Sequence, residues 1–242
     1  MGFLVTKFET GLFVDSLGGI PLNQTITICG PAGAGKTLLG LILSLRFLDN
    51  FFDAIAIYID PENTISKYDL RRLCEKNGIP EYTLNQLKIS NLTSPSSILT
   101  SIEEMLGNIN QSYVMVVIDP ITSLFLEYAY RISTVQSKKV HIAEYIHKTY
   151  SFLTFLKRML SDYEYLLIVI DQVRALPQNP NIPEFWRNEG LIPAFWNILQ
   201  IFTDTCFLLK KIRRNLILMR IVFSKNMPET MGIIRIGKDI IV

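Results

Sequence analysis

The stretch Gly30–Thr37, GPAGAGKT, matches the spacing G-x-x-x-x-G-K-T in full. Residues of these types at this spacing handle phosphate. The glycines let successive backbone N–H groups turn inward around phosphate oxygens, and the start of the following helix adds its positive dipole end. Lys36 can reach the terminal phosphates, and Thr37 offers a hydroxyl to Mg²⁺. Gly30, Pro31, Ala32, Gly33, Ala34, Gly35, Lys36, Thr37 and Leu38 therefore form the candidate nucleotide-binding segment. The flanks agree: TITIC (25–29) reads as the preceding strand and LLGLILSLRFL (38–48) as the following helix.

A phosphate cradle also needs a carboxylate for the metal at the end of a neighbouring strand. Two apolar runs end in one, VMVVID at Asp119 and LLIVID at Asp171. Either could instead cap a turn, and spacing does not choose between them. A third run, IYIDPENT (57–64), brings out Asp60 and Glu62. A carboxylate there could accept a proton from an attacking water. The bland reading, a turn at Pro61 with Glu62 capping the next helix, is equally compatible with the residues alone.

These groups must be held by a scaffold. TITIC, AIAIYI (54–59), YVMVVI (113–118) and YLLIVI (165–170) are rich in Ile and Val without polar alternation, which is how strands buried on both faces read. Helical segments lie between them. One spans 37–48 and another 65–76, stopped by Gly78; a third opens at Ser94-Pro95, and a long amphipathic stretch covers about 136–161. The alternation predicts an α/β fold with a mostly parallel sheet flanked by helices. After residue 200 the pattern changes to strands joined by tight turns at 213–215, 225–229 and 237–239, so the sheet is expected to end in antiparallel hairpins. With 242 residues, no linker and no repeat, the expectation is a single domain over 1–242.

Composition removes several classes of function. At 49% hydrophobic and 19% charged residues the chain is not intrinsically disordered. No apolar run reaches the roughly 18 residues that span a bilayer, and MGFLVTKFETG lacks the features of a signal peptide, so a cytoplasmic chain without membrane insertion is expected. Cys29, Cys74 and Cys206 are far apart in sequence and suggest neither a disulfide framework nor a zinc site. A net charge of +2 argues against a generally basic nucleic-acid binder, although Lys210, Lys211, Arg213, Arg214, Arg220 and Lys225 crowd into the C-terminal region. One segment stays unexplained: DQVRALPQNPNIPEFWRNEGLIP (171–193), a long irregular loop carrying Phe185 and Trp186 directly after a core strand.

Taken in order, LGGI…CGPAGAGKT, YIDPENTISKYDLRRLCEKNGI, VMVVIDPITSLF, LLIVIDQVRA and FSKNMPE resemble the RecA/RadA recombinase core from about Asp15 to Val242, most closely the archaeal RadA group and its shorter paralogs. The resemblance implies a RecA-like P-loop ATPase using ATP and Mg²⁺. It makes Glu62 the general base, Asp119 the Mg²⁺-linked carboxylate beside Thr37, and Gln172 the group that senses the γ-phosphate. Arg174–Ile192 then occupies the family's second DNA-binding loop and 127–138 the first. Arg131, Lys138, Arg174 and Arg187 become candidate DNA contacts and Trp186 a stacking platform. The implied partners are single-stranded DNA and a RadA-type recombinase or another paralog.

The chain also departs from that pattern. It begins almost at the ATPase core, so no separate N-terminal DNA-binding domain is expected. FFDA (51–54) has the Phe-x-x-Ala form of a polymerisation motif but runs into a strand, and is read as packing. Ser66 stands where the family often has an arginine over adenine. The second loop is neutral, with Arg174 and Arg187 against Glu184 and Glu189. The expected function is a RadA-paralog ATPase of slow turnover that assists homologous recombination and DNA repair. The alternative, which the loop's neutrality favours, is a KaiC-like regulatory ATPase in signalling or surface-appendage assembly with no DNA role.

Overall fold

A computed structural model describes residues 6–108, 110–125, 138–176, 182–214, 216–237 and 240–241; side chains are not described at 8, 13, 138–142 and 235–241. The strands are β1 (Lys7–Phe8), β2 (Ile20–Pro21), β3 (Gln24–Gly30), β4 (Ala54–Ile59), β5 (Leu87–Ser90), β6 (Tyr113–Ile118), β7 (Glu164–Ala175), β8 (Leu191–Pro193), β9 (Thr205–Arg213), β10 (Leu216–Ser224), β11 (Met231–Gly237) and β12 (Ile240–Ile241). The α-helices are α1 (Lys36–Asn50), α2 (Lys67–Asn77), α3 (Thr83–Gln86), α4 (Pro95–Gly107), α5 (Ile121–Leu124), α6 (Lys138–Leu160), α7 (Glu184–Glu189) and α8 (Trp196–Phe202).

The main sheet runs β12-β11-β10-β9-β3-β7-β6-β4-β5, with β8 added against β7. Every pairing from β9 through β3, β7, β6 and β4 to β5 is parallel, and β9 to β12 are antiparallel. This is the α/β architecture that the sequence pattern predicts, with the hairpins where the turns were expected.

Burial follows the period of two. On β4, Ala54, Ala56 and Tyr58 face a core shared with α1 and α2, while Ile55, Ile57 and Ile59 face a second core shared with α4, α6, α7 and α8. Small residues on the first face let α1 approach closely. At Gly40 of α1 an added Cβ would lie 2.9 Å from Ile170 Cδ1 and 3.0 Å from the Tyr58 hydroxyl. Helix ends carry their own signals: Ser66 caps α2 by accepting from the Asp69 N–H, and Gly78 closes it in the left-handed region at φ 62°. In FFDA, Phe51 stacks on Tyr113 at 4.3 Å and Ala54 is buried in β4, in line with packing, while Phe52 is 90% exposed.

Three cysteines distant in sequence are not all distant in space. Parallel pairing of β3 with β9 sets Cys29 Sγ 3.9 Å from Cys206 Sγ, both as buried free thiols.

The segment read as one irregular loop is built differently. Its strand continues past Asp171 to Ala175, and its second half forms α7 and β8, with β8 pairing back onto β7. The brevity of these elements hid them in the sequence. The described part is fastened by aromatics: Trp186 is fully buried, its ring 5.1 Å from Trp196 and 5.4 Å from Phe185. Trp186→Ala should therefore remove about 3–5 kcal/mol of unfolding free energy in a denaturant titration. A loss below about 1 kcal/mol, ordinary for a mild surface change, would show that this ring is not an anchor.

Candidate functional site

β3, β6 and β4 end together at the carboxyl ends of the parallel strands, the place where open α/β sheets hold ligands, while β7 between them runs on to Ala175. β3 leads into the glycine motif. Gly33 and Gly35 take the left-handed region at φ 69° and 83°, and a Cβ at Gly30 would lie 2.5 Å from the Leu209 carbonyl oxygen on β9. Gly30 thus serves strand packing as well as the turn. The first N–H groups of α1 have no earlier helical carbonyl to pair with, so they and the glycine-turned backbone form a fitting anion cradle. Lys36 bends back over this loop, donating from Nζ to Gly30 O at 3.0 Å and Pro31 O at 2.9 Å. Burial pulls its pKa below the usual lysine value, against the opposing charges of Asp119, Asp171 and Glu62.

The structure separates the two aspartates that spacing left equal. Asp119, just after β6, is buried and takes a 2.7 Å hydrogen bond from the Tyr58 hydroxyl, with the Thr37 side chain beside it. Burial raises its pKa, and the neighbouring Tyr58 and Thr37 side chains oppose the rise. Asp171 is not at a strand end at all. Its Oδ1 accepts from its neighbour Gln172 N at 2.8 Å, and its Oδ2 from Phe195 N at 2.9 Å. A carboxylate spent on two backbone donors closes the 172–195 segment at its root. The hydroxyl and carboxylate that suit Mg²⁺, those of Thr37 and Asp119, are therefore already adjacent, and the donor set of hard oxygens fits that ion.

The turn after β4 is also divided between its acids. Asp60 is buried and makes the turn, accepting from Thr64 N at 2.7 Å and Ile65 N at 2.9 Å. Glu62 caps no helix; that role belongs to Ser66. Glu62 is exposed, and its Oε1 accepts from Ser123 Oγ at 2.6 Å. Ser123 lies in α5, just beyond Asp119, and nothing in its sequence setting distinguishes it. Gln172 pairs with Gly30 in the β3–β7 register, which sets it beside the start of the glycine loop.

The candidate DNA contacts fare unequally. Arg174 and Arg187 are exposed, and Arg187 Nε donates to Ile182 O at 2.9 Å. Trp186, expected as a stacking platform, is a correction: its ring is sealed among Phe185, Trp196 and the rest of the second core, out of reach of a base. Residues 126–137, with Arg131 and most of the first loop, lie outside the described residues, as does the side chain of Lys138. Glu189 supplies a feature that the sequence concealed. Its largely buried carboxylate pairs with both Lys210 and Arg220 on the C-terminal hairpin. The neutrality of the second loop is therefore formal, because the Glu189 charge is already engaged by hairpin cations. Among the described residues no cluster suits a His- or Cys-based metal site, and no helix is long and apolar enough to cross a membrane.

The Asp171 carboxyl gives a pH test. Burial pushes its pKa from 3.8 up to about 7, more than the N–H bonds from Phe195 and Gln172 and the charges of Lys36 and Arg174 pull it down. Between those values the folded chain keeps a proton that the unfolded chain has released. The resulting stability is complete below pH ~4 and is lost as pH rises through about 7. Relative to Asp171→Asn, the native chain should lose on the order of 1–4 kcal/mol across that window, read as the difference in melting temperature at each pH. A difference that does not vary with pH would show that the carboxyl is not held protonated.

A family model described as Rad51 matches residues 14–242. No curated protein matches the chain.

Proposed function

The chain belongs to the Rad51 family of RecA-like recombinases and ATPases, and from that premise we propose that it is a RadA-paralog ATPase of the archaeal type that assists homologous recombination. It binds ATP with Mg²⁺, hydrolyses ATP slowly, and contacts single-stranded DNA, a recombinase or both. The observation that carries this reading is the gathering of Lys36, the Thr37–Asp119 pair and Glu62 just beyond β3, β6 and β4, beside Gln172 where the β3–β7 ladder stops.

In this reading the loop Gly30–Leu38 holds the triphosphate and Lys36 turns from its backbone partners to the terminal phosphates. Thr37 and Asp119 hold Mg²⁺, which neutralises charge on the phosphate oxygens when bound. Glu62 accepts the proton of the attacking water at its carboxylate, steadied by the Ser123 hydroxyl. Gln172 reads the γ-phosphate. Because its carbonyl accepts from Ala194 N and its N–H is held by Asp171, a shift at Gln172 bears directly on both ends of the second loop. The KaiC-like alternative drew on the neutrality of that loop, and the commitment of Glu189 to Lys210 and Arg220 removes much of its support.

Lys36→Ala should weaken both nucleotide binding and turnover. Glu62→Gln should still bind ATP while hydrolysis falls by about 10²-fold or more. Wild-type turnover in Glu62→Gln would show that another group is the base. DNA binding is separable by filter retention of labelled single strands with ATP. Affinity should fall with salt, and Arg174→Ala or Arg187→Ala should each lessen the salt slope by about 1. No retention at low salt would favour the regulatory alternative.

The coupling has its own test. ATP, but not ADP, should protect 174–192 from proteolysis after Arg174 or Arg187, and Gln172→Ala should abolish the difference while ATP still binds. Equal cleavage with both nucleotides bound would mean that the loop does not read the γ-phosphate.

A further inference from the structure

We propose that Tyr58 is a positioning residue for the metal site, its hydroxyl holding the Asp119 carboxylate in the orientation that Thr37 and Mg²⁺ require. The inference rests on the ATP·Mg²⁺ reading above and adds a residue to it.

Tyr58 stands on β4, one residue before the strand ends, and its side chain is fully buried. Its hydroxyl donates to Asp119 Oδ2 at 2.7 Å and lies 3.4 Å from the Thr37 carbonyl oxygen, too far for a strong second bond. Asp119 is itself buried, and the nearby Thr37 side chain also favours its charged form. The carboxylate is thus held by a hydroxyl from β4 and lies beside the first turn of α1.

Packing alone does not call for the hydroxyl. The neighbours of Tyr58 in this core are apolar, and phenylalanine would fill the same volume without a polar atom to satisfy. Room for the hydroxyl has also been made at a cost in helix propensity. Gly40 lies within α1, where glycine is unfavourable, and a Cβ there would sit 3.0 Å from the Tyr58 hydroxyl and 2.9 Å from Ile170 Cδ1. The missing side chain on α1 thus leaves room for the Tyr58 hydroxyl together with Ile170, and the hydroxyl uses that room to reach the carboxylate. Partners of this kind orient a metal-linked carboxylate and tune its hold on the ion.

The test is a Mg²⁺ titration of fluorescent ATP-analogue binding on the full chain, with a parallel series in EDTA. Tyr58→Phe should raise the Mg²⁺ midpoint by about 10-fold or more, while EDTA binding stays within about twofold of the native value, since the Gly30–Leu38 cradle is intact. Gly40→Ala, which crowds the hydroxyl without removing it, should shift the midpoint in the same direction. Equal weakening with and without Mg²⁺ in both variants would reduce Tyr58 to a fold-stabilising residue and overturn the proposal. An unmoved midpoint in Tyr58→Phe overturns it also. If the native chain shows no Mg²⁺ effect on nucleotide binding, the ATP·Mg²⁺ reading falls and this inference with it; a native effect that Tyr58→Phe leaves unchanged removes the Tyr58 assignment alone.

Discussion

The site depends on the parallel pairing of β3 with β7, an unbroken ladder from Gln24↔Leu166 to Gly30↔Gln172. Parallel strands of this length are stable only when helices cover both faces, and here two apolar cores do so. The ladder fixes the glycine loop and Gln172 at the same height, so a group bound in one is within sight of the other. It also aligns Asp171 with Cys29, which lies in the second core, and there the carboxylate is buried and turned to backbone donors.

From that ladder the remaining parts are hung in sequence-distant pairs. β6 brings Asp119 to one side and β4 brings Tyr58 and the Glu62 turn beyond it. The segment after β7 is held at three depths: Asp171 clamps its root, β8 pairs along its neck, and Trp186 pins α7 into the second core. Glu189 then ties α7 to the hairpin of β9 and β10, whose first strand also packs against Gly30. The glycine loop, β7 and the hairpin are thus joined by contiguous packing and hydrogen bonds, the kind of network that can carry coupling between two sites.

Much of this was legible in the residues alone. GPAGAGKT carries its conformation in its own glycines, the four apolar runs announce doubly covered strands, and Gly78 and Ser94-Pro95 mark helix ends, because all of these are local consequences of backbone sterics and burial period. What only the tertiary structure decided are the partnerships. Asp119 and Asp171 follow near-identical runs, VMVVI and LLIVI, yet one meets Thr37 and Tyr58 while the other meets Phe195 N. Asp60 and Glu62 stand two residues apart, yet one builds the turn and the other faces Ser123. Trp186 left the solvent-facing role suggested by its loop because Trp196 and Phe185 close around it. Each outcome turns on a strand order, β9-β3-β7-β6-β4, that differs from chain order. A residue's type sets what it can bond to, and the order in which strands pack sets which partner arrives.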